Sequence, residues 1–193
     1  MVNLTRIYTR TGDAGETRLG DNSVTTKTDP RLHAYADVDE ANACIGLALA
    51  TATFSPEVTD LLVHVQNDLF DVGADLCTPV VPDPEYPPLR ITADYVERLE
   101  QWCDAYNEDL EPLRSFILSG GTPASAHLHV ARTVVRRAER SAWAAFSTYA
   151  EEMNQLSITY LNRLSDLLFI LARHANRELG DVLWVPGGER SSS

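Results

Sequence analysis

Four arginines lie close together in one stretch of an otherwise acidic sequence. Arg132, Arg136 and Arg140 recur every fourth residue, Arg137 lies beside them, and Glu139 is the only acid nearby. On a helix these positions share one face, and like charges at that spacing cost about 0.2–0.5 kcal/mol per pair. An exposed charged face is one explanation. A bound anion or a partner carboxylate explains the stripe better, because arginine binds both with paired hydrogen bonds.

The N-terminal segment contains a second group of candidate anion ligands. It is rich in Thr, Gly and Asp, and it includes the string Thr-Gly-Asp-Ala-Gly at 11–15. Glycines can turn backbone N–H groups toward one anion, hydroxyls add donors, and a lysine adds a point charge. A plain glycine turn is the alternative. The candidate ligands are Thr9, Arg10, Thr11, Gly12, Thr17 and Lys27.

Acidic residues crowd the start of the first helical segment. Asp37, Asp39 and Glu40 occupy positions where the helix dipole favours acids by about 0.3–1 kcal/mol each. Asp39 also follows the core position Val38, so its carboxylate could instead reach an arginine at the edge of the core.

Two further positions each have a structural and a functional interpretation. Asn162 forms a polar stripe with Asp166 and Arg173 beside the leucines of the last helical segment, which is also typical of ordinary surface. Phe116 precedes a Gly-Gly turn and is by default a buried core aromatic.

The composition limits the class of protein. The 193 residues carry a net charge of −12, which disfavours nucleic acid, so a local cluster of cations must bind any anionic ligand. The fractions of hydrophobic (44%) and charged (23%) residues are typical of one globular domain. The sequence has neither a signal-peptide start nor an apolar run long enough for a bilayer, so we expect a cytoplasmic protein. Its three scattered cysteines predict neither disulfides nor a zinc site.

Several standard cofactor motifs are missing from the sequence. None of the five histidines has an acid three residues before it, as the di-iron sites of helical bundles require. The metalloprotease, P-loop and dinucleotide-binding motifs are missing as well. We therefore expect no resident metal site, and any nucleotide must be bound by a different arrangement.

Apolar residues at helical spacing predict five helices, at about 32–53, 58–76, 92–110, 123–149 and 155–178. A proline-rich loop over 78–90 follows the second helix. Thr122 and Pro123 mark the start of the fourth, whose core seam of small residues allows a neighbouring helix to come close. The predicted fold class is all-α, an up-and-down five-helix bundle. The single domain comprises an N-terminal loop (1–31), the bundle (32–180) and a flexible tail (181–193).

Five segments, in order over nearly the whole chain, match one family of enzymes. They are Ile7-Tyr8-Thr9-Arg10-Thr11-Gly12-Asp13-Ala14-Gly15, Val38-Asp39-Glu40-Ala41-Asn42, Phe116-Ile117-Leu118 with Gly120-Gly121, Ala131-Arg132-Thr133-Val134-Val135-Arg136-Arg137-Ala138-Glu139-Arg140, and Tyr160-Leu161-Asn162-Arg163-Leu164-Ser165-Asp166. Through them the chain resembles the ATP:cob(I)alamin adenosyltransferases of the propanediol-utilisation type. Ser119 replaces a frequent proline and Val135 a frequent cysteine, and neither position has a proposed chemical role.

The resemblance implies an enzyme that transfers the 5′-deoxyadenosyl group of ATP to cobalt(I) of reduced cobalamin, giving adenosylcobalamin and triphosphate. It also implies a homotrimer with active sites between subunits, which uses ATP, Mg²⁺ and cobalamin. A non-catalytic carrier that delivers adenosylcobalamin to a mutase is the alternative, and a purely structural bundle is a third. A flavin-type reductase and an adenosylcobalamin-dependent mutase are the expected protein partners.

The same resemblance assigns roles to individual residues. The loop ligands would bind the triphosphate with magnesium, and the ATP site would be completed by Arg136, Arg137, Glu139, Arg140 and Asn162. The catalytic residues would be Asp39, Arg132 and Arg136, with Arg132 paired to Asp39 of the adjacent subunit. Phe116 would press on the lower face of the corrin ring and exclude its dimethylbenzimidazole ligand.

Overall fold

The computed structural model describes residues 8–84 and 86–189, so residues 1–7 of the predicted loop and 190–193 of the predicted tail lie outside the described residues. Within this range the chain forms strands β1 (Glu16–Arg18) and β2 (Val24–Thr26) and then five helices. The helices are α1 (Pro30–Thr51), α2 (Pro56–Leu76), α3 (Ala93–Asn107), α4 (Pro123–Tyr149) and α5 (Gln155–Ala175). The predicted all-α, five-helix fold is confirmed. None of the helices in these residues combines the length and apolar character needed to cross a membrane.

Three of the helices begin with the same local signal, a capping side chain followed by proline. Asp29, Ser55 and Thr122 each accept a hydrogen bond from a backbone N–H of the first turn, and a proline follows each of them. The prediction used this signal only for α4. It therefore placed the start of α1 at 32, two residues after the helix begins.

Helices α1 and α4 form the centre of the bundle and run antiparallel. Contacts between Thr51 and His127 at one end and between Asp37 and Arg137 further along fix this direction. α2 packs outside α1, while α5 packs on α4 and α3 on α5. The α1–α4 contact is built on fully buried alanines, which confirms the predicted close approach: Ala34, Ala41 and Ala48 on α1, and Ala131, Ala138, Ala142 and Ala145 on α4.

The N-terminal segment is more regular than the sequence suggested. Thr17 pairs with Thr25 at the middle of an antiparallel ribbon of β1 and β2, where the sequence predicted only turns and loop. Strands of three residues show no readable alternation, so this prediction was wrong for a physical reason. The ribbon is held on the bundle by the buried Leu19 and by a hydrogen bond of 2.8 Å from Gly20 N to Cys77 O.

Candidate active site

The arginines of α4 are the largest local concentration of positive charge, and they differ in their surroundings. Arg136 and Arg140 are exposed, whereas Arg132 is half-buried and its guanidinium lies 5.9 Å from the centre of the Phe169 ring. The Nε of Arg132 is buried and has no hydrogen-bond partner in the described part of the chain. Burial, and then the charge of Arg136, lower the pKa of Arg132. Arg132 is therefore a half-buried cation that forms no ion pair with a carboxylate among the described residues.

Arg137 lies on a different face of α4 from Arg132 and forms ion pairs within its own chain. Its Nε donates to Asp37 Oδ1 at 3.0 Å, and its other donors form an ion pair with Glu40. The hydrogen bond with Asp37 raises the pKa of Arg137. Ser141 also donates to Asp37, at 2.5 Å, so this cluster joins α4 to α1. The predicted contact of Arg137 with ATP stays a prediction, and the structure gives the side chain a second role.

Asp39 lies between the two acids that bind Arg137, but it is exposed. Asp37 and Glu40 are fixed by α4 of the same chain, which holds this turn of α1 in place. The carboxylate of Asp39 therefore points to solvent from a rigid turn, where a group from another molecule can reach it.

Asn162 lies beside the arginine stripe, and its predicted role in binding ATP stays a prediction. Its Nδ2 donates to Glu139 Oε1 at 3.2 Å, and its Oδ1 accepts from Arg163 at 3.0 Å. Arg163 is in turn paired with Glu100 of α3 at 2.7 Å. The structure thus brings Asn162 and Glu139 together next to Arg136 and Arg140, in one polar patch on α4 and α5.

The candidate loop ligands surround a tight turn. Thr9 Oγ1 and Thr11 Oγ1 are 2.9 Å apart, and Arg10 has a positive φ of 64°. A Cβ on Gly12 would lie 3.0 Å from both Cε and Nζ of Lys27, so the lysine side chain closes directly over this glycine. The loop therefore places two hydroxyls on one exposed turn and an ammonium group over its glycine, which are donors suited to phosphate oxygens.

Sequence reasoning missed the group that anchors this loop. Asp29 is buried, caps α1, accepts from Thr25 at 2.7 Å and pairs with Arg31 at 2.9 Å. The Arg31 guanidinium lies 3.9 Å from the centre of the Tyr149 ring, at the end of α4. The Asp-Pro pair at the start of α1 was the available signal. This anchor fixes the hairpin, and with it Lys27, against the bundle.

The two groups of anion ligands are not linked by ion pairs in the described part of the chain. Across residues 8–84 and 86–189, no ion pair joins the N-terminal loop to Arg132, Arg136 or Arg140. Because Lys27 and these arginines are all cations, only a shared anion would join the two groups.

Phe116 is not a core residue, so the default interpretation of the sequence was wrong. It is 79% exposed, and its carbonyl accepts a hydrogen bond from Trp184 N at 2.7 Å. Trp184 belongs to the segment expected to be a flexible tail. The residues from Val182 to Trp184 instead pair with 116–118, with an isolated antiparallel bridge between Ile117 and Leu183. Backbone hydrogen bonds hold this part of the tail, which no sequence pattern indicated.

Comparison with known proteins decides the family. The sequence model of the family described as cobalamin adenosyltransferase matches residues 7–175. The chain belongs to the cobalamin adenosyltransferase family. The corrinoid adenosyltransferase of Mycobacterium tuberculosis H37Rv is 64% identical over 192 residues, covering 100% of this chain and 99% of that protein. The corrinoid adenosyltransferase of Bacillus subtilis is 41% identical over 92% of this chain and 91% of that protein.

Solved structures of the family have the same fold. A single-residue variant of the PduO-type ATP:corrinoid adenosyltransferase from Lactobacillus reuteri, complexed with cobalamin and ATP, aligns with a TM-score of 0.84 and 37% identity. The alignment covers 93% of this chain and 96% of that one. A second variant of that protein, complexed with ATP, aligns with a TM-score of 0.81. This chain is thus similar over nearly its full length to a protein whose solved structure contains both cobalamin and ATP.

Proposed function

We propose that this member of the cobalamin adenosyltransferase family transfers the 5′-deoxyadenosyl group of ATP to cobalt(I) of reduced cobalamin. A lone pair of cobalt(I) attacks C5′, the cobalt–carbon bond forms, and the C5′–O5′ bond breaks to release triphosphate. The observation that carries the proposal is the pair of exposed arginines, Arg136 and Arg140, on α4 of this acidic chain. Fixed cations stabilise the charge that grows on the leaving triphosphate.

The N-terminal loop is the proposed triphosphate site. Thr9, Thr11 and the backbone around Gly12 donate hydrogen bonds, and Lys27 adds a positive charge over the same turn. No three His, Cys, Asp or Glu side chains among the described residues are grouped to hold a metal ion. Mg²⁺ would therefore arrive with ATP, bound mainly by phosphate oxygens and water, as is usual for nucleotide sites. The hydroxyls of Thr9 and Thr11 and the turn at Gly12 fit a triphosphate that carries Mg²⁺.

The proposed catalytic arrangement is completed between subunits of a homotrimer. Arg132 is a half-buried cation whose Nε has no hydrogen-bond partner among the described residues, and Asp39 is an exposed carboxylate, so each supplies what the other needs. The exposure of three large apolar residues on α1 and α2, Leu47, Val63 and Phe70, supports contact of these helices with another subunit. If Arg132 pairs with Asp39 of the adjacent subunit, the N-terminal loop of that subunit would lie next to Arg136.

Phe116 has the proposed role of covering the lower face of the corrin. An axial ligand raises the energy of the cobalt orbital that receives the electron, so an apolar group on that face favours cobalt(I). The exposure of Phe116 supports this role, because a free aromatic ring can stack on a flat ligand. We expect a flavin-type reductase to supply the electron, a mutase to consume the product, and the reaction to occur in the cytoplasm.

A carrier that only binds adenosylcobalamin is the second candidate function. It would need the apolar ring of Phe116, but it would not need the triphosphate ligands Lys27, Arg136 and Arg140. The presence of both sets in one chain favours the enzyme.

The proposal is tested by giving the purified protein chemically reduced cob(I)alamin and ATP and following the cobalt–carbon chromophore. Arg136→Ala is expected to reduce kcat by about 10²–10³-fold, the effect of removing one donor from a developing anion. Arg177→Ala, an exposed arginine at the end of α5, makes the same change in charge and is expected to leave kcat unchanged. No cobalt–carbon bond with the unaltered protein would overturn the enzyme proposal and favour the carrier.

A further inference from the structure

The segment around Phe116 and the C-terminal segment form a two-stranded ribbon, defined here as residues 115–118 and 182–185. Leu118 N donates to Val182 O at 2.8 Å, and Trp184 N donates to Phe116 O at 2.7 Å. Directly opposite residues of an antiparallel pair point to the same side. Phe116 and Trp184 therefore share one face of the ribbon with Leu118 and Val182.

This face is apolar and uncovered. Phe116, Leu118, Val182 and Trp184 are between 41% and 79% exposed, although all four are large hydrophobic residues. The Phe116 and Trp184 rings meet edge to face, with centres 6.2 Å apart. The position of the C-terminal strand therefore decides how far the apolar surface extends beside Phe116.

One buried arginine on α5 bonds to residues that precede both strands of the ribbon. Arg173 Nε donates to Asp181 Oδ2 at 2.7 Å, just before the C-terminal strand. Its Nη2 donates to Glu111 O at 2.8 Å, at the start of the segment that leads to Phe116. The side chains of Arg173 and Asp181 are only 8% and 15% exposed.

The far end of the Phe116 segment is fixed by Asn176, which directly follows α5. Asn176 is buried, its Nδ2 donates to Gly120 O at 2.9 Å, and its Oδ1 accepts from Thr122 N at 2.9 Å. Asn176 is the C-cap of α5, which ends at Ala175 rather than at the predicted 178. Asp181 is thus the only side chain in this set that ties the C-terminal strand to the helix.

The charges around the Arg173–Asp181 ion pair make it sensitive to the loss of either side chain. Burial, and then the charge of Arg132, lower the pKa of His129, while Asp181 opposes this shift, so His129 lies near both groups. A neutral His129 leaves Arg173 as the cation that balances Asp181. Removal of either partner would leave a buried charge unpaired, which is costly.

We propose that the Arg173–Asp181 ion pair is a positioning pair for the corrinoid reaction, which places the C-terminal strand beside Phe116 and so sets how completely the lower face of the corrin is closed. This inference rests on the proposed function. Arg173 and Asp181 need not touch the substrate, since they act through the ribbon.

The test uses Asp181→Asn and Arg173→Gln in the full-length protein. With cob(II)alamin, ATP and a reductase, each variant is expected to lower kcat by about tenfold, as for other outer groups that tune a metal centre. With cobinamide, which lacks the lower base, the loss is expected to be less than about threefold. The electron paramagnetic resonance spectrum of bound cob(II)alamin is expected to keep more of the nitrogen splitting that reports a coordinated base.

The matched control is Arg98→Gln, which breaks another partly buried ion pair, with Asp68 at 2.8 Å, between α3 and α2. It is expected to destabilise the fold while affecting both corrinoids equally. If the neutral variants fail to fold, Asp181→Glu serves instead, because it keeps the charge pair and lengthens the side chain. An intermediate nitrogen signal is then expected.

Two outcomes separate the inference from the proposed function. Equal losses with both corrinoids, together with an unchanged resonance spectrum, would overturn the positioning role while leaving the enzyme proposal intact. Failure of the unaltered protein to form a cobalt–carbon bond from cob(I)alamin and ATP would overturn the proposed function instead.

Discussion

Replacement of Asp29 by asparagine tests how the N-terminal loop is attached to the bundle. Asp29 is 5% exposed, and its carboxylate bonds both Thr25 in β2 and Arg31 in α1. Burial alone would raise the pKa of Asp29, but the hydrogen bonds from Arg31 and Thr25 outweigh it and hold the pKa at about 2. Asparagine is also a good helix cap, so Asp29→Asn removes the charge and largely keeps the cap.

The size of the effect follows from the lowered pKa. The ordinary value for the unfolded chain is 3.8, and each pH unit of difference corresponds to about 1.4 kcal/mol, which gives about 2 kcal/mol at neutral pH. Because the folded pKa is the lower one, this stabilisation is complete above the unfolded pKa. It is lost as the pH falls from about 4 to about 2.

The assay is urea unfolding of both proteins at one concentration, since association would make the apparent stability depend on concentration. Asp29→Asn is expected to lower the free energy of unfolding by about 2 kcal/mol at pH 7 and at pH 5, and by clearly less at pH 3. Asp21→Asn, an exposed carboxylate in the same loop, is the control and should change it by under about 0.5 kcal/mol. A difference of the same size at pH 3 and pH 7, or none at pH 7, would refute the reasoning.

Three further predictions concern individual side chains. Arg132→Ala is expected to keep its helix content by circular dichroism but to lose about a hundredfold in kcat/KM, since truncating one partner of a buried charge pair costs about 3 kcal/mol. Normal turnover of this variant would rule out the pairing of Arg132 with Asp39. Phe116→Ala is expected to slow turnover of cobalamin by about tenfold and of cobinamide much less, and equal losses would show that the ring has no role toward the lower base. Burial raises the pKa of the Cys77 and Cys103 thiols to about 11, so alkylation of the folded protein at pH 8 should be about a hundredfold slower than that of a free thiol; rapid labelling would contradict their burial.

The helices were predictable from the sequence because their signals are local. The apolar spacing on α2 and the Thr122–Pro123 start of α4 depend on residues a few positions apart. The start of α1 carried the same kind of signal at Asp29. The predicted start of α1 was wrong because this signal was present in the sequence but was not used.

The functional surroundings were less predictable, because they depend on contacts between distant segments. The surroundings of Phe116 include Trp184, nearly seventy positions away, and Arg137 is bound by acids about a hundred positions away, on α1. The run of arginines predicts that an anion or a carboxylate is bound. It does not show which arginine binds the anion and which binds the carboxylate. Only the packing of α1 against α4 distinguishes Arg137, which binds acids of its own chain, from Arg132.

The central claim is that this protein forms a cobalt–carbon bond by displacing triphosphate from ATP. A single-turnover reaction with cob(I)alamin and ATP, in which adenosylcobalamin and intact triphosphate are both quantified by chromatography, tests it most directly. We predict that the two products appear together in equal amounts and at the same rate. Binding of cobalamin without triphosphate release, or release of diphosphate and phosphate without a cobalt–carbon bond, would contradict the account.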